Sequence, residues 1–240
     1  MKKLALILIS LCFIIISCRN RNENNETDKP IRYNGPTTIN IAQQDIYKIN
    51  ASSEEALTYY SDNENIVTVD NDGNIKGKSI GEANITISNS DNEIKIRVIV
   101  TLFVEPTLDF GCNQDKILSL YNPEKLIYNT DSVIIYSNWY SAAVWSMSFF
   151  FENDEYYESD LYILNDLDMR VNEYLDKNYH YYEVITNDNG KEIYVYLNAA
   201  DESDATVMVG KMYNANEEDD ICLMYTKYPY DSRVRVRLRH

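Results

Sequence analysis

Hydrophobic residues alternate with polar ones in short runs between residues 37 and 102, and this period of two is typical of half-buried β-strands. The clearest runs are Ala83–Ile87 and Ile94–Val100. Turn-forming residues separate the runs, as in Asp70–Asn74, where Gly73 can take a positive φ. No helical spacing intervenes. About seven short strands in this stretch predict a small all-β sandwich.

The pattern changes after a short stretch, residues 103–106, which we interpret as a linker. Apolar residues at helical spacing around Val171 predict a helix over about residues 166–177, and strand-like runs lie on both sides of it. These elements predict an antiparallel sheet with one or two helices packed on one face. The predicted fold class is therefore an all-β sandwich at residues 37–102, followed by a separate α+β domain at residues 107–240.

The amino-terminal residues carry the pattern of a secretory signal peptide. A basic start is followed by an apolar run, Leu4–Ile16, that is too short to span a bilayer, which takes about 20 residues. The run ends at Ser17 and Cys18, a small residue before a cysteine, and this ending resembles the bacterial lipobox. The resemblance implies that the leader 1–17 is removed and that Cys18 becomes the lipidated first residue, with palmitate-like acyl chains in the membrane. A plain secretory signal and an uncleaved anchor are the alternatives.

Residues 18–36 are rich in Asn, Glu and Arg and nearly free of apolar residues, so we expect a flexible tether. The whole chain has a net charge of −16, and removal of Lys2 and Lys3 with the leader makes the mature protein more acidic still. Nucleic acid repels a strongly acidic protein, which excludes a nucleic-acid-binding role. The expected location is the bacterial cell envelope, at the outer membrane or the cell surface, with lipid on Cys18 as the link to the membrane.

Two cysteines remain once the leader and the lipidation site are set aside. Cys112 and Cys222 would lie outside the cytoplasm, where disulfides persist. A bridge between them would close a long loop and stabilise the fold by up to about 4–5 kcal/mol. The sequence leaves two alternatives open: a disulfide between Cys112 and Cys222, or two free buried thiols.

The stretch Tyr59–Ile75 is similar to the bacterial immunoglobulin-like domain, group 2. It contains an aromatic strand, a Ser-x-Asn segment, an alternating Val-x-Val-Asp run and a turn that ends in Gly and a hydrophobic residue. Gly81–Thr86 matches the Gly-x-Ala-x-Ile-Thr strand of the same family, and Tyr59 stands where the family usually has Trp. The resemblance covers residues 37–102 and implies an immunoglobulin-like sandwich of the kind found in surface adhesins and exported lipoproteins, without catalysis.

No motif for catalysis or phosphate binding stands out, so we predict no catalytic residue, no metal site and no cofactor. His180 and His240 lack a partner at metal-ligand spacing, and His180 is interpreted as a packing residue. The turn at Asp70–Asn74 has calcium-like oxygen spacing but lacks the downstream Glu of a calcium loop. Acidic clusters, which a glycosidase would need, fall where turns are expected and favour solvated loops. They lie at Glu152–Glu155, Asp201–Asp204 and Glu217–Asp220.

Aromatic residues supply the candidate ligand-binding site, because 17 of the 21 tyrosines lie beyond residue 107. Tyr194 and Tyr196 share one strand face and would form a platform for sugar rings; alternatively, a helix covers that face. A final strand, Arg233–Arg239, has a cationic face, which we expect to meet an acidic patch of the same fold; an anionic surface glycan is the alternative. The leading hypothesis is a non-catalytic surface binding or adhesion module for a glycan or protein ligand. Its rivals are a structural spacer or accessory subunit of an envelope assembly, and a weak hydrolase.

Overall fold

The computed structural model describes residues 29–137, 141–214 and 220–229. The predicted signal peptide, lipid on Cys18 and the Arg233–Arg239 strand lie outside the described residues and stay predictions. Within the described part, the chain is mostly β-structure with two α-helices. This confirms the predicted fold class, an all-β sandwich followed by an α+β unit.

The first part of the fold is a sandwich of two β-sheets. Its strands are β1 (Arg32–Tyr33), β2 (Thr38–Ala42), β3 (Ile46–Lys48), β4 (Ala51–Ser52), β5 (Thr58–Ser61), β6 (Val67–Val69), β7 (Asn74–Gly77), β8 (Gly81–Ser88) and β9 (Glu93–Thr101). One sheet has the order β2-β9-β8-β5 and the other the order β3-β7-β6, while β1 and β4 form a separate two-stranded sheet. The alternation seen in the sequence places Ile85, Ile87, Ile96 and Val98 in the core between the sheets, because successive side chains of a strand point to opposite faces.

The amino-terminal end of the described chain is attached to this sandwich. Strand β1 pairs antiparallel with β4, and the Nζ of Lys29 lies 2.8 Å from Oε1 of Glu55. The side-chain amide of Asn89 donates a hydrogen bond of 2.7 Å to the carbonyl of Lys29. The prediction of a flexible tether is therefore wrong for residues 29–33, since pairing and an ion pair fix them.

The second part is an antiparallel sheet of eight strands in the described residues, with the order β10-β11-β12-β13-β17-β16-β15-β14. Its strands are β10 (Leu126–Asn129), β11 (Val133–Tyr136), β12 (Val144–Glu152), β13 (Glu155–Leu164), β14 (His180–Thr186), β15 (Glu192–Leu197), β16 (Val207–Tyr213) and β17 (Asp220–Lys227). Two helices accompany it, α1 (Gln114–Leu120) and α2 (Asp168–Asn178). Ile117 of α1 and Val171 and Leu175 of α2 pack into one core with one face of the sheet.

The two faces of the sheet belong to different apolar clusters. In β17, Leu223 and Tyr225 join the cluster that also contains the helices, whereas Cys222 and Met224 join a cluster on the opposite face. Cys112 packs against the helix-side cluster. The alternative of a disulfide between Cys112 and Cys222 does not hold in the described structure, because the sheet separates the two sulfur atoms.

The residues expected to form a linker are part of the second core. Phe103 is 1% exposed and packs with the helix-side cluster, and its ring centroid lies 4.6 Å from that of Tyr174 in α2. The Oη of Tyr179 donates a hydrogen bond of 2.5 Å to Oε1 of Glu105. The predicted linker at residues 103–106 is therefore anchored in the second core.

A hydrogen bond also joins the sandwich directly to the second part. Nη2 of Arg170, in α2, donates to Oε1 of Gln43 at 2.6 Å. Gln43 is itself held, since its side-chain amide donates to the carbonyl of Lys78 at 2.8 Å. The junction therefore combines a buried aromatic anchor with polar contacts, which favours a fixed relation between the two parts.

A polar cluster fixes α2 to the sheet. Lys211, on β16, is 2% exposed, and its Nζ donates to Asp168, to Asn172 (2.7 Å) and to the Oη of Tyr213 (2.5 Å). The phenol of Tyr213 donates to Oδ1 of Asp168 at 2.7 Å. Burial alone would raise the pKa of Asp168, but hydrogen bonds from Lys211 and Tyr213 outweigh it and hold that pKa below its usual range.

We expect Phe103→Ala to lower the free energy of unfolding by about 3–5 kcal/mol, because it removes a buried ring and leaves a cavity between the junction and α2. Val104→Ala is the matched control, since the adjacent Val104 is exposed, and it should change stability by less than about 0.5 kcal/mol. Urea unfolding followed by circular dichroism measures both. Equal effects of the two substitutions would show that Phe103 does not anchor the junction.

Asp168→Asn should destabilise the protein by about 2 kcal/mol, less than the ~3–5 kcal/mol for breaking a fully buried pair, because the Asp168 side chain is 35% exposed. The folded-state pKa of Asp168 lies below its unfolded value, so its contribution is present above about pH 4 and lost as the pH falls further. The gap between wild type and variant should therefore close in acid. Asp176→Asn, at an exposed position of the same helix, is the control; an equal loss there would contradict the assignment.

Candidate binding surface

Strand β14 forms one edge of the large sheet and is the most open element of the fold. It pairs with β15 on one side, and the sheet order places no described strand on its other side. All of its residues except Ile185 are exposed. An edge strand presents backbone N–H and C=O groups that a further strand can use. The outer side of β14 is therefore a surface on which another chain can be added.

The side chains of this edge are large and partly apolar. Tyr181 is 58% exposed, and Tyr182 and Val184 are exposed as well. Tyr181 and Val184 lie opposite Tyr196 and Tyr194 of β15, on the face that carries α2. The register shifts between Tyr181 and Glu183, which leaves Tyr182 as the extra residue of a bulge. We call Tyr181, Tyr182 and Val184 the tyrosine edge.

Neighbouring acidic groups hold some of the phenols. The Oη of Tyr228 donates to Oε1 of Glu202, and the same carboxylate hydrogen-bonds Tyr182, which raises the pKa of Tyr182. On the other face, Tyr194 Oη donates to Oε2 of Glu192 at 3.0 Å. Within the tyrosine edge, the contact with Glu202 orients Tyr182, so less freedom of that side chain remains to be lost when a partner binds.

The platform predicted from Tyr194 and Tyr196 does not form in the structure. Tyr196 is only 7% exposed and packs into the helix-side core, with its ring edge-on to Tyr181 at a centroid distance of 5.8 Å. Tyr194 is half-buried and meets the Tyr213 ring edge-on, at 6.2 Å and 87°. The ring face of Tyr196 is thus closed to a sugar. The platform is absent because α2 and its polar cluster cover that face of β15.

The exposed aromatics were missed because β14 carries no clear alternation. A strand buried on one face shows period two, whereas the sequence of β14 mixes His, Tyr, Glu, Val and Thr without it. The absence of alternation does not by itself identify β14 as an edge, because the edge position depends on the strand order. His180 was interpreted as a packing residue, and this was wrong, since it is exposed at the start of β14.

The carboxylates considered for chemistry serve mainly as hydrogen-bond acceptors in turns. Asp154 Oδ1 accepts from the backbone N–H of Gln114, in the first turn of α1, and Asp201 Oδ1 accepts from Ser203 N–H at 2.9 Å. Most of the Glu217–Asp220 cluster lies outside the described residues. These two contacts give Asp154 and Asp201 a local structural role.

Three carboxylates of the described residues are buried: Glu158, Asp160 and Asp220. Asp220 begins β17, so the prediction of a solvated loop is wrong for this residue. Glu158 and Asp160, in β13, are 0% and 1% exposed, and the Oη of Tyr162 donates to Oδ2 of Asp160 at 3.3 Å. All three carboxylates lie inside the protein and are closed to solvent.

The turn with calcium-like spacing is closed by its own hydrogen bonds. Asp70 Oδ1 accepts from the backbone N–H of Asp72 (3.0 Å) and of Asn74 (2.8 Å), and Asp70 Oδ2 accepts from the Asn74 amide at 2.7 Å. Gly73 has φ 78°, and a Cβ there would lie 2.9 Å from the Tyr59 ring. Across the described ranges, no group of three potential metal ligands comes together.

No helix within the described part of the chain is long and apolar enough to cross a membrane. No curated protein matches the chain.

Among solved structures, domains 5–6 of the S-layer protein SbsC align with 12% identity over 83% of this chain and 85% of that chain, at a TM-score of 0.27. EC1-2 of human protocadherin-24 aligns with 13% identity over 55% of this chain and 83% of that chain, at a TM-score of 0.25.

The family comparison falls on the sandwich. Residues 40–99 match the bacterial Ig-like domain (group 2). This range runs from β2 into β9 and includes both of the stretches on which the resemblance rested, Tyr59–Ile75 and Gly81–Thr86. The match confirms that the amino-terminal sandwich of this chain is of the bacterial immunoglobulin-like type, group 2.

Proposed function

We propose that the protein is a non-catalytic binding module of a bacterial cell envelope, held to a membrane through lipid on Cys18. In this proposal the immunoglobulin-like sandwich carries the second part away from the membrane, and the tyrosine edge binds the partner. The observation that carries the proposal is the open strand β14, with three large exposed side chains on an edge free of Lys and Pro.

The edge favours a partner that contributes an extended segment of protein. Natural edge strands are commonly protected by Lys, Pro, short length or a bulge. Strand β14 is seven residues long and has the bulge, but it lacks the first two protections. Binding by strand addition draws affinity from main-chain hydrogen bonds and specificity from alternate side chains. Tyr181 and Val184 would supply those side-chain contacts.

A glycan ligand is the second candidate, and the exposure of Tyr181 favours it. A tyrosine ring that is 58% exposed can offer an aromatic face to a sugar, whereas Tyr194 and Tyr196 are too enclosed for the platform first predicted. The rival roles, a structural spacer or accessory subunit and a weak hydrolase, have no comparable surface feature among the described residues.

Val184→Lys should reduce binding of the labelled protein to envelope fractions of the producing bacterium at least about tenfold, because a lysine on an edge strand opposes pairing with another chain. Ile127→Lys is the matched control, since it places the same charge at an exposed position on the opposite edge strand, β10. Protease treatment of the fraction should abolish binding, and periodate oxidation of its glycans should not. Loss through periodate alone would favour the glycan candidate, and equal loss with both variants would reject the tyrosine edge.

Cys18→Ser should abolish incorporation of an alkyne-labelled fatty acid and shift the protein from the membrane to the soluble fraction, because the proposed acyl chains would then have no sulfur to occupy. Cys112→Ser is the control and should keep full labelling, since Cys112 packs within the fold. Persistent labelling of the Cys18 variant would exclude this anchor.

A further inference from the structure

A cavity of about 300 Å³ lies where the sandwich meets the second part. One wall comes from the end of β2 and the start of β3, and the other from the end of α1 and from β12 and β13. The volume is at the lower limit of known small-molecule sites, about 300–1,000 Å³. The cavity shares no residue with the tyrosine edge, so a role for one is independent of a role for the other.

The floor of the cavity is apolar. Val144, Met147 and Leu161 lie behind it, and all three are buried side chains of the helix-side core. At the mouth lie Ile46, which is 68% exposed, and Leu120, which is also exposed. Large hydrophobic side chains that gather around a concave site are a mark of ligand binding. The cavity therefore suits a compact hydrocarbon body.

One carboxylate stands in the wall of this apolar site. Asp45 lies at the turn between β2 and β3, where Gln44 takes φ 73° and the N–H of Asp45 donates to the carbonyl of Ala42 at 3.1 Å. Among the described residues, no side chain donates a hydrogen bond to the Asp45 carboxylate. Burial raises the pKa of Asp45 to about 6, against the opposing charge of Lys125. A cation beside this carboxylate would favour its ionised form.

We propose that this cavity binds a small primary amine with a compact hydrocarbon body. The ammonium group would lie against the carboxylate of Asp45, and the hydrocarbon would contact the exposed side chains of Ile46, Val104 and Leu120. A half-buried carboxylate in an apolar wall is costly to desolvate unless a cation or hydrogen-bond donors face it. An ammonium group supplies both a positive charge and three N–H donors.

The charge of the wall selects among ligands of the same shape. An acid of this size would place a second negative charge beside Asp45, and a neutral alcohol would offer a hydrogen bond without the ionic attraction. Lys125 acts on Asp45 through its field. The site would therefore select a ligand by its positive charge at Asp45 and by the shape of its hydrocarbon at the apolar lining.

The test uses the intact chain at neutral pH with phenethylamine as the probe, and with 2-phenylethanol and 3-phenylpropanoate as ligands of similar shape. Calorimetry or ligand-observed NMR should give a dissociation constant on the order of 1 mM for the amine, with the alcohol at least about tenfold weaker and the acid weaker still. Asp45→Asn should weaken the amine about tenfold and leave the alcohol within about twofold. Asp91→Asn, at an exposed position of the same sandwich, should change neither.

A second variant tests the cavity itself without removing the carboxylate. Val104 lines the cavity and is exposed, so Val104→Trp should close the mouth and abolish binding of both amine and alcohol, with an unchanged circular dichroism spectrum as proof of folding. The proposal is overturned if the amine fails to bind, if amine and alcohol bind equally, or if Asp45→Asn or Val104→Trp leaves the affinity of the amine unchanged.

Discussion

The packing of Phe103 against α2 is the contact on which the arrangement of the two parts depends. The chain leaves β9 and enters the second core within two residues, since Leu102 and Phe103 are both buried there. The hydrogen bond from Arg170 to Gln43 then acts between elements that are already close. A polar contact alone on an exposed surface would contribute little, so the buried ring provides the stability and the hydrogen bond provides the orientation.

This junction also explains why two separate features occur in a fold of modest size. The cavity exists because the sandwich is held over the ends of β12 and β13 without filling the space beside Asp45. Strand β14 stays open because it is at the end of the sheet order, while α2 covers β15 and β16 and is fixed there by Lys211. The polar cluster around Lys211 thus holds α2 over Tyr194 and Tyr196 of β15, whereas the neighbouring strand β14 stays exposed.

The local pattern of hydrophobic residues predicted the helices and strands well. Features that depend on pairing between distant strands could not be predicted from it. The helix expected at residues 166–177 runs over Asp168–Asn178, and the alternation of β8 and β9 placed Ile85, Ile87 and Ile96 correctly in the core. The faces of β15 were also correctly separated, since Ile193 and Val195 belong to one cluster and Tyr196 to the other. The sequence could not show which strand is the sheet edge or that Cys112 and Cys222 are on opposite sides, because those facts depend on strand order. Burial of Phe103 was hidden for the same reason, as a single aromatic residue after a strand resembles a linker.

The pairing of the sandwich's first sheet has a mechanical consequence. Strand β2 runs parallel to β9 in register, from Thr38 beside Arg97 to Ala42 beside Thr101. The chain therefore comes in at one end of this pair and leaves at the other, separated by a rise of about 3.3 Å per residue along the strand. A pull between the two ends acts along the strands, so the hydrogen bonds joining β2 to β9 are loaded together in shear and do not open one after another. A sandwich connected in this way can transmit tension along its length and keep its sheets paired.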